Sequence, residues 1–90
     1  MGLNLLKVQL GGSTMNYNIE KQIGANVRKL RKKAGYTQDT LSAKLQVEGC
    51  DITRSALAKI EVGQRHIYPD ELIILKKLLN TTYDELLKIE

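Results

Sequence analysis

The strongest constraint on the fold is a series of helix start and stop signals that lie close together along the chain. Threonine residues at three positions suit helix N-caps, two glycines suit helix C-termini, and the single proline suits the first turn of a helix. Signals at this density leave room only for short helices. The signals are Thr37, Thr53 and Thr82 for the caps, Gly35 and Gly63 for the ends, and Pro69.

Between these signals, apolar residues recur at helical spacing. The pattern predicts helices over 19–34, from Thr37 through Leu45, over 54–62, from Pro69 to about Leu79, and after Thr82, where Glu85 completes a capping-box sequence. Residues 46–52 are interpreted as a polar connection, and no convincing strand follows residue 15. The predicted core is Ile23, Val27, Leu30, Leu41, Leu45, Leu57, Ile60, Leu72, Leu75 and Leu86.

Composition narrows the choice of function. A chain of 90 residues supports one small domain, and without Phe or Trp its core must be aliphatic. One Cys and one His exclude an internal disulfide, a cysteine-rich zinc site and a histidine metal cluster, so no cofactor is expected. No apolar run approaches the roughly 20 residues of a membrane span, and the first residues do not resemble a signal peptide. We expect a cytoplasmic domain with no membrane partner.

The first 18 residues differ from the rest. Gly11-Gly12-Ser13 has the composition of a flexible linker, and LNLLKVQL before it alternates enough to form a short strand. We interpret 1–18 as an N-terminal extension, appended or strand-forming, and 19–90 as the folded domain. Within it, residues 1–14 are expected to be dispensable for the function of the domain, so a version that starts at Met15 should function unchanged.

The positive charge is concentrated in the middle of the chain. The net charge is +4, whereas residues 21–65 carry ten basic and four acidic residues, a net charge of +6. Such a concentration suits a polyanion, although charge alone favours a solvated, slightly basic surface.

The second and third predicted helices are short, and the first predicted helix, of comparable length, precedes them. This arrangement suggests a helix-turn-helix. On the third helix, the spacing turns Leu57 and Ile60 inward. The remaining surface combines basic with small residues, which fits a DNA major groove but also fits an ordinary solvated face. The residues on that surface are Arg54, Ser55, Ala58, Lys59 and Val62.

From residue 23 to 87 the sequence resembles the Cro/repressor-type helix-turn-helix family, also called the XRE family. The resemblance rests on five motifs in order: IGANVRKLRKKAGYTQ, TLSAKL, ITRSALAKIEVGQR, YPDELIILKKLL and TTYDELLK. It implies an all-α, compact five-helix, lambda-repressor-like domain that binds double-stranded DNA, usually as a dimer on an operator. The connection QVEGCDIT is longer than the tight turn typical of lambdoid repressors, and Ser42 replaces a usual Ala.

The resemblance also implies residue roles. Gln38 would contact phosphate and brace the recognition helix, and Arg31 with Glu61 would form an internal salt bridge. Two further residues, after the glycine that ends the third helix, would touch the DNA backbone. The positions implied to contact the operator are Thr53, Arg54, Ser55 and Lys59, and the two that follow the glycine are Gln64 and Arg65.

These observations favour a repressor-like transcriptional regulator that binds a palindromic operator as a homodimer. An antitoxin of the same fold, which binds a toxin protein as well as DNA, is the alternative, with the C-terminal helix or the extension as its partner surface. Few aromatic side chains argue against single-strand or RNA binding. No nucleophile–base pair or metal set indicates an enzyme. His66 is expected at the surface, and Cys50 is expected to be a free thiol without structural importance.

Overall fold

A computed structural model describes residues 17–90, which form five helices and no strand. The helices are α1 (Tyr17–Lys33), α2 (Gln38–Val47), α3 (Arg54–Glu61), α4 (Pro69–Leu78) and α5 (Tyr83–Leu86). The all-α, five-helix prediction is therefore confirmed for this part of the chain. The predicted strand or appended segment before residue 17 lies outside the described residues.

The threonine caps form as the sequence indicates. Thr37 Oγ1 accepts a hydrogen bond from the Thr40 backbone N–H at 3.0 Å. Thr53 and Thr82 do the same for α3 and α5. Each cap satisfies a backbone donor that has no partner inside its helix, which is why these short helices begin where they do.

The core is aliphatic and lies between α1, α2, α3 and α4, with α5 closing one end against α1. Eight of the ten predicted core residues are buried. The buried apolar residues are Val27, Leu30, Leu41, Leu45, Cys50, Ile52, Leu57, Ile60, Leu75, Leu79 and Leu86.

Two predicted core positions are only partly buried, Ile23 and Leu72. On α1, Gly24 lies directly against the backbone of α3, and Ile23 lies beside this contact. On α4 the buried stripe begins at Glu71 and continues through Leu75, which leaves Leu72 beside it. Consecutive residues of a helix differ by about 100°, so a one-residue error in the centre of a stripe moves a side chain to its edge.

The connection between α2 and α3 is not a purely polar loop. Helix α2 continues to Val47, and Cys50 and Ile52 are buried in the core, so the expectation that Cys50 lacks structural importance is wrong. The Ser42 hydroxyl donates to the Ile52 carbonyl oxygen at 2.8 Å. The connection is therefore anchored at two apolar side chains and one buried hydrogen bond, which fixes where α3 begins.

Burial also governs the chemistry of Cys50. Burial raises the pKa of its thiol, and the neighbouring Glu71 and Asp70 carboxylates add to the effect. The thiolate is the reactive form of cysteine, so this thiol is a packing group rather than a reactive one.

Candidate nucleic-acid interface

Helix α3 has one face locked into the domain and one face open. Leu57, Ile60 and Glu61 are buried. Arg54, Ser55 and Lys59 are exposed on the same helix. A rigid helix that presents two basic side chains and a hydroxyl to solvent is the kind of element that enters a DNA major groove.

The C-terminal end of α3 is held by the carboxylate of Glu61. Arg31 Nε donates to Glu61 Oε2 at 2.7 Å, and Arg31 Nη2 donates to Glu61 Oε1 at 3.0 Å. Both side chains are almost completely buried, at 8% and 1% exposed. Arg31 also donates from Nη1 to the Tyr36 carbonyl oxygen at 2.8 Å. The resemblance implied this pair, and the structure shows how it joins α1 to α3.

Gln38, the first residue of α2, belongs to the same network. Its Nε2 donates to Glu61 Oε1 at 3.1 Å, and its side chain is half-buried. The bracing role implied for Gln38 thus has a direct geometric basis. The start of α2 and the end of α3 are tied through one carboxylate, so the angle between the two helices is fixed by hydrogen bonds as well as by packing.

Two glycines let α1 approach the end of α3 closely. A Cβ atom at Gly24 would collide with the Ile60 carbonyl oxygen, and a Cβ at Gly63 would lie 2.7 Å from the Lys21 Cα. Gly63 also has a φ of 79°, a conformation that favours glycine. Sequence reasoning interpreted Gly63 as a helix end and missed Gly24, since a glycine inside a helix gives no signal of what packs against it.

At the N-terminal end of α3, the exposed side chains make only a cap hydrogen bond and a surface ion pair, although the buried Ile52 anchors the backbone just before them. Thr53 is exposed, and its hydroxyl is engaged by the Ala56 N–H at 3.1 Å. Arg54 lies beside Asp39 of α2, with 3.6 Å between Arg54 Nε and Asp39 Oδ1. The Arg54 side chain therefore reaches the first turn of α2, so Arg54 and Asp39 share one exposed surface.

The helix N-termini on this surface favour anions. Each presents unpaired backbone N–H groups and a partial positive charge, which suits a phosphate. Exposed basic side chains of α1 add to the positive charge of the domain. They are Arg28, Lys29, Lys32 and Lys33.

Gln64 and Arg65 lie beyond the opposite end of α3 from Arg54. Gln64 is exposed, whereas Arg65 turns toward α4. Arg65 Nη1 and Nη2 donate to Glu71 Oε1 and Oε2 at 2.9 and 3.0 Å, and Nη1 also donates to the His66 carbonyl oxygen. Its guanidinium lies 5.8 Å from the centre of the Tyr68 ring.

The Arg65–Glu71 pair is strong enough to perturb both groups. The hydrogen bond from Arg65 lowers the pKa of the Glu71 carboxyl, and the Tyr68 backbone N–H adds to this against the opposing effect of burial. The same hydrogen bond raises the pKa of Arg65. Sequence reasoning missed this pairing, although an acidic residue at the third position of a helix after a proline is a usable sign of a side chain that turns back.

His66 makes a surface contact that the sequence did not indicate. Its Nδ1 lies 2.8 Å from Glu20 Oε1 on α1, and the imidazole is more than half exposed. The surface location expected for His66 agrees with this exposure. The contact joins the segment after α3 to α1.

Among residues 17–90, no helix is long and apolar enough to span a membrane, and no three His, Cys, Asp or Glu side chains cluster as a metal site requires.

Comparison with known proteins identifies the family of the chain. No curated protein and no solved structure matches the chain. The model of the helix-turn-helix family HTH_3 matches residues 27–86, which include all of α2, α3, α4 and α5. The chain therefore belongs to the XRE-type helix-turn-helix family of DNA-binding, transcription-regulating domains.

Proposed function

We propose that this protein is a repressor-like transcriptional regulator that binds a specific double-stranded DNA sequence as a homodimer on a palindromic operator. The observation that carries the proposal is the exposed face of α3, with Arg54, Ser55 and Lys59 presented by a helix whose other face is buried. Precise presentation matters because base edges are distinguished by hydrogen bonds of defined geometry.

Within this proposal, Arg54 reads a base. It occupies the first position of α3, the end that helix-turn-helix domains insert into the major groove. Its guanidinium can donate two hydrogen bonds to O6 and N7 of one guanine, a geometry that lysine does not reproduce. Lys59 binds guanine or a phosphate, and Ser55 adds a weaker contact, because a hydroxyl can donate or accept.

Phosphate contacts supply affinity and register. Gln38 and Thr53 lie at the N-termini of α2 and α3, where a phosphate oxygen would meet backbone N–H groups. Gln64 is proposed to touch the backbone beyond the other end of α3. Arg65 is a weaker candidate than Gln64, because both of its terminal nitrogens already bind Glu71.

Self-association is supported by apolar side chains that the domain leaves in solvent. Ile73 on α4 and Tyr68 before it are each 58% exposed. Covering these side chains against a second copy would remove apolar surface from water. A dimer on DNA would place its half-sites about one helical turn apart, roughly 34–36 Å.

The test is selection of duplexes from a random pool, followed by footprinting and light scattering of the free protein and of the complex. A palindromic sequence, a repeated half-site and a dimer are the expected results. Affinity should fall steeply with salt, with a slope of about −0.9 per phosphate neutralised. No enriched sequence, or a footprint without a repeated half-site, would contradict the proposal.

Two variants distinguish a contact with a base from a contact with the phosphate backbone. Arg54→Ala should weaken the selected duplex by about 1–3 kcal/mol and random DNA much less. Lys32→Ala on α1 should weaken both duplexes equally or leave both unchanged. Equal losses on both duplexes for Arg54→Ala would make Arg54 a phosphate anchor and overturn its base-reading role.

An antitoxin is the second candidate. Leu87 and Ile89 at the C-terminal end are 41% and 46% exposed, and such side chains suit a protein partner. Co-purification of a small toxin from the natural host would favour this function. A protein that is dimeric, binds its selected duplex and brings down no such partner would favour the regulator.

A further inference from the structure

Asp39 lies beside the residue proposed to read a base. It is the second residue of α2, and Arg54 is the first residue of α3. The distance between Asp39 Oδ1 and Arg54 Nε is 3.6 Å, and the two side chains are 72% and 67% exposed. An acidic side chain on a proposed phosphate-binding surface lowers non-specific affinity for DNA.

The contact uses one edge of the guanidinium. Arginine presents its donors as a planar fork, and a bidentate bond to guanine can use the two terminal nitrogens. Asp39 lies at Nε, which leaves the terminal nitrogens available for a base. The carboxylate can therefore orient Arg54 without competing for the atoms that read guanine.

We propose that Asp39 is a positioning residue that sets the sequence specificity of Arg54; this rests on the base-reading role proposed above. Asp39 orders the long Arg54 side chain before DNA arrives, which reduces the entropy lost on binding the correct base. It also repels a phosphate that would otherwise attract Arg54 away from the groove. Asp39 thus lowers affinity for random DNA and preserves affinity for the operator.

The simplest competing account is that Asp39 only complements the partial positive charge at the start of α2. That role predicts a small effect on folding and no effect on the preference for one sequence. The measured quantity must therefore be the ratio of affinities for the selected duplex and a random duplex of the same length, at one salt concentration.

The experiment compares Asp39→Asn with the matched control Asp70→Asn. Asp70 is also exposed, and it is also the second residue of its helix, α4. Asp39→Asn should tighten binding to random DNA and weaken binding to the selected duplex, lowering the ratio about two- to fivefold, as expected for loss of an exposed ion pair. Asp70→Asn should leave the ratio unchanged, and Asp39→Glu should keep most of it. Thermal unfolding of each variant checks that the fold is retained.

The decisive step repeats Asp39→Asn in an Arg54→Ala background, where the ratio should no longer respond to Asp39. A similar response in both backgrounds, or an unchanged ratio in the wild-type background, would overturn the proposal for Asp39 alone. If Arg54→Ala itself leaves the ratio unchanged, or if no duplex is selected, the base-reading role fails and the Asp39 proposal fails with it.

Discussion

The two ends of α3 are held in different ways. At its C-terminal end, Glu61 is buried and accepts hydrogen bonds from Arg31 and Gln38, and α1 meets the backbone at Gly24. At its N-terminal end, Thr53 caps the helix and Arg54 extends into solvent beside Asp39. Buried polar contacts therefore hold the C-terminal end of α3, whereas the side chains at the N-terminal end, which we propose to enter the groove, make only surface contacts and the buried Ile52 anchors the backbone before them. The residues proposed to contact bases therefore carry little responsibility for the fold.

The largest effect of a substitution on stability is expected at the C-terminal end of α3. Glu61→Ala should lower the free energy of unfolding by about 3–5 kcal/mol, because it leaves the buried Arg31 guanidinium without its counter-charge. Chemical denaturation measures this difference. The matched control is the double variant Arg31→Met with Glu61→Leu, which removes both charges and should cost much less. If Glu61→Ala lowered the free energy of unfolding no more than the double variant does, the Arg31–Glu61 pair would not be what holds α3.

The contrast between the ends was only partly visible in the sequence. Spacing along the third helix correctly turned Leu57 and Ile60 inward, and the threonine caps located the starts of α2, α3 and α5. Periodicity works there because each helix has one face toward a single core.

Other features depend on contacts between segments that are distant in the sequence. Ile52 is buried although it follows a polar stretch, because two side chains of a connection can enter a core without any periodic pattern. Gly24 matters only because the Ile60 carbonyl lies against it, and Asp39 only because α3 begins beside it. The Arg31–Glu61 pair came from resemblance to a family and not from the spacing of charges.

A smaller effect on stability is expected in the segment that follows α3, where Arg65 pairs with Glu71 of α4. Glu71→Gln should lower the free energy of unfolding at neutral pH by about 1.5–3 kcal/mol, because Glu71 binds Arg65 through two hydrogen bonds.

The effect of Glu71 should depend on pH in a defined direction. Its pKa is lowered in the folded protein, so its stabilisation is complete above the ordinary value of 4.5 and is lost as pH falls through the lowered value. Denaturation of wild type and Glu71→Gln from pH 7 to pH 3 should show the two converging as the pH falls. A difference that stayed constant over this range would rule out the ion pair as its cause.

At the N-terminal end of α3, the cap is expected to contribute less to stability. Thr53→Ala should lower the free energy of unfolding by about 0.5–2 kcal/mol, since the Ala56 N–H loses its acceptor. Thr53→Ser retains the hydroxyl and should restore most of the loss. If Thr53→Ala destabilised the protein as much as Glu61→Ala, the two ends of α3 would contribute equally to its stability.

The smallest effect on folding is expected for Lys59, although it is only two residues from Glu61. Lys59 is exposed whereas Glu61 is buried, and the difference arises because a step of two residues on a helix crosses to the opposite face. Lys59→Ala should change the free energy of unfolding by no more than about 0.5 kcal/mol, as is usual for surface positions. Its effect should appear in DNA binding instead. If Lys59 contacts a phosphate, the slope of log affinity against log salt becomes shallower by about 0.9 per subunit. If Lys59 contacts a base, the slope stays closer to that of wild type and the preference for the selected duplex falls. A Lys59→Ala variant that unfolds more easily and binds DNA like wild type would show that Lys59 contributes to folding and not to DNA binding.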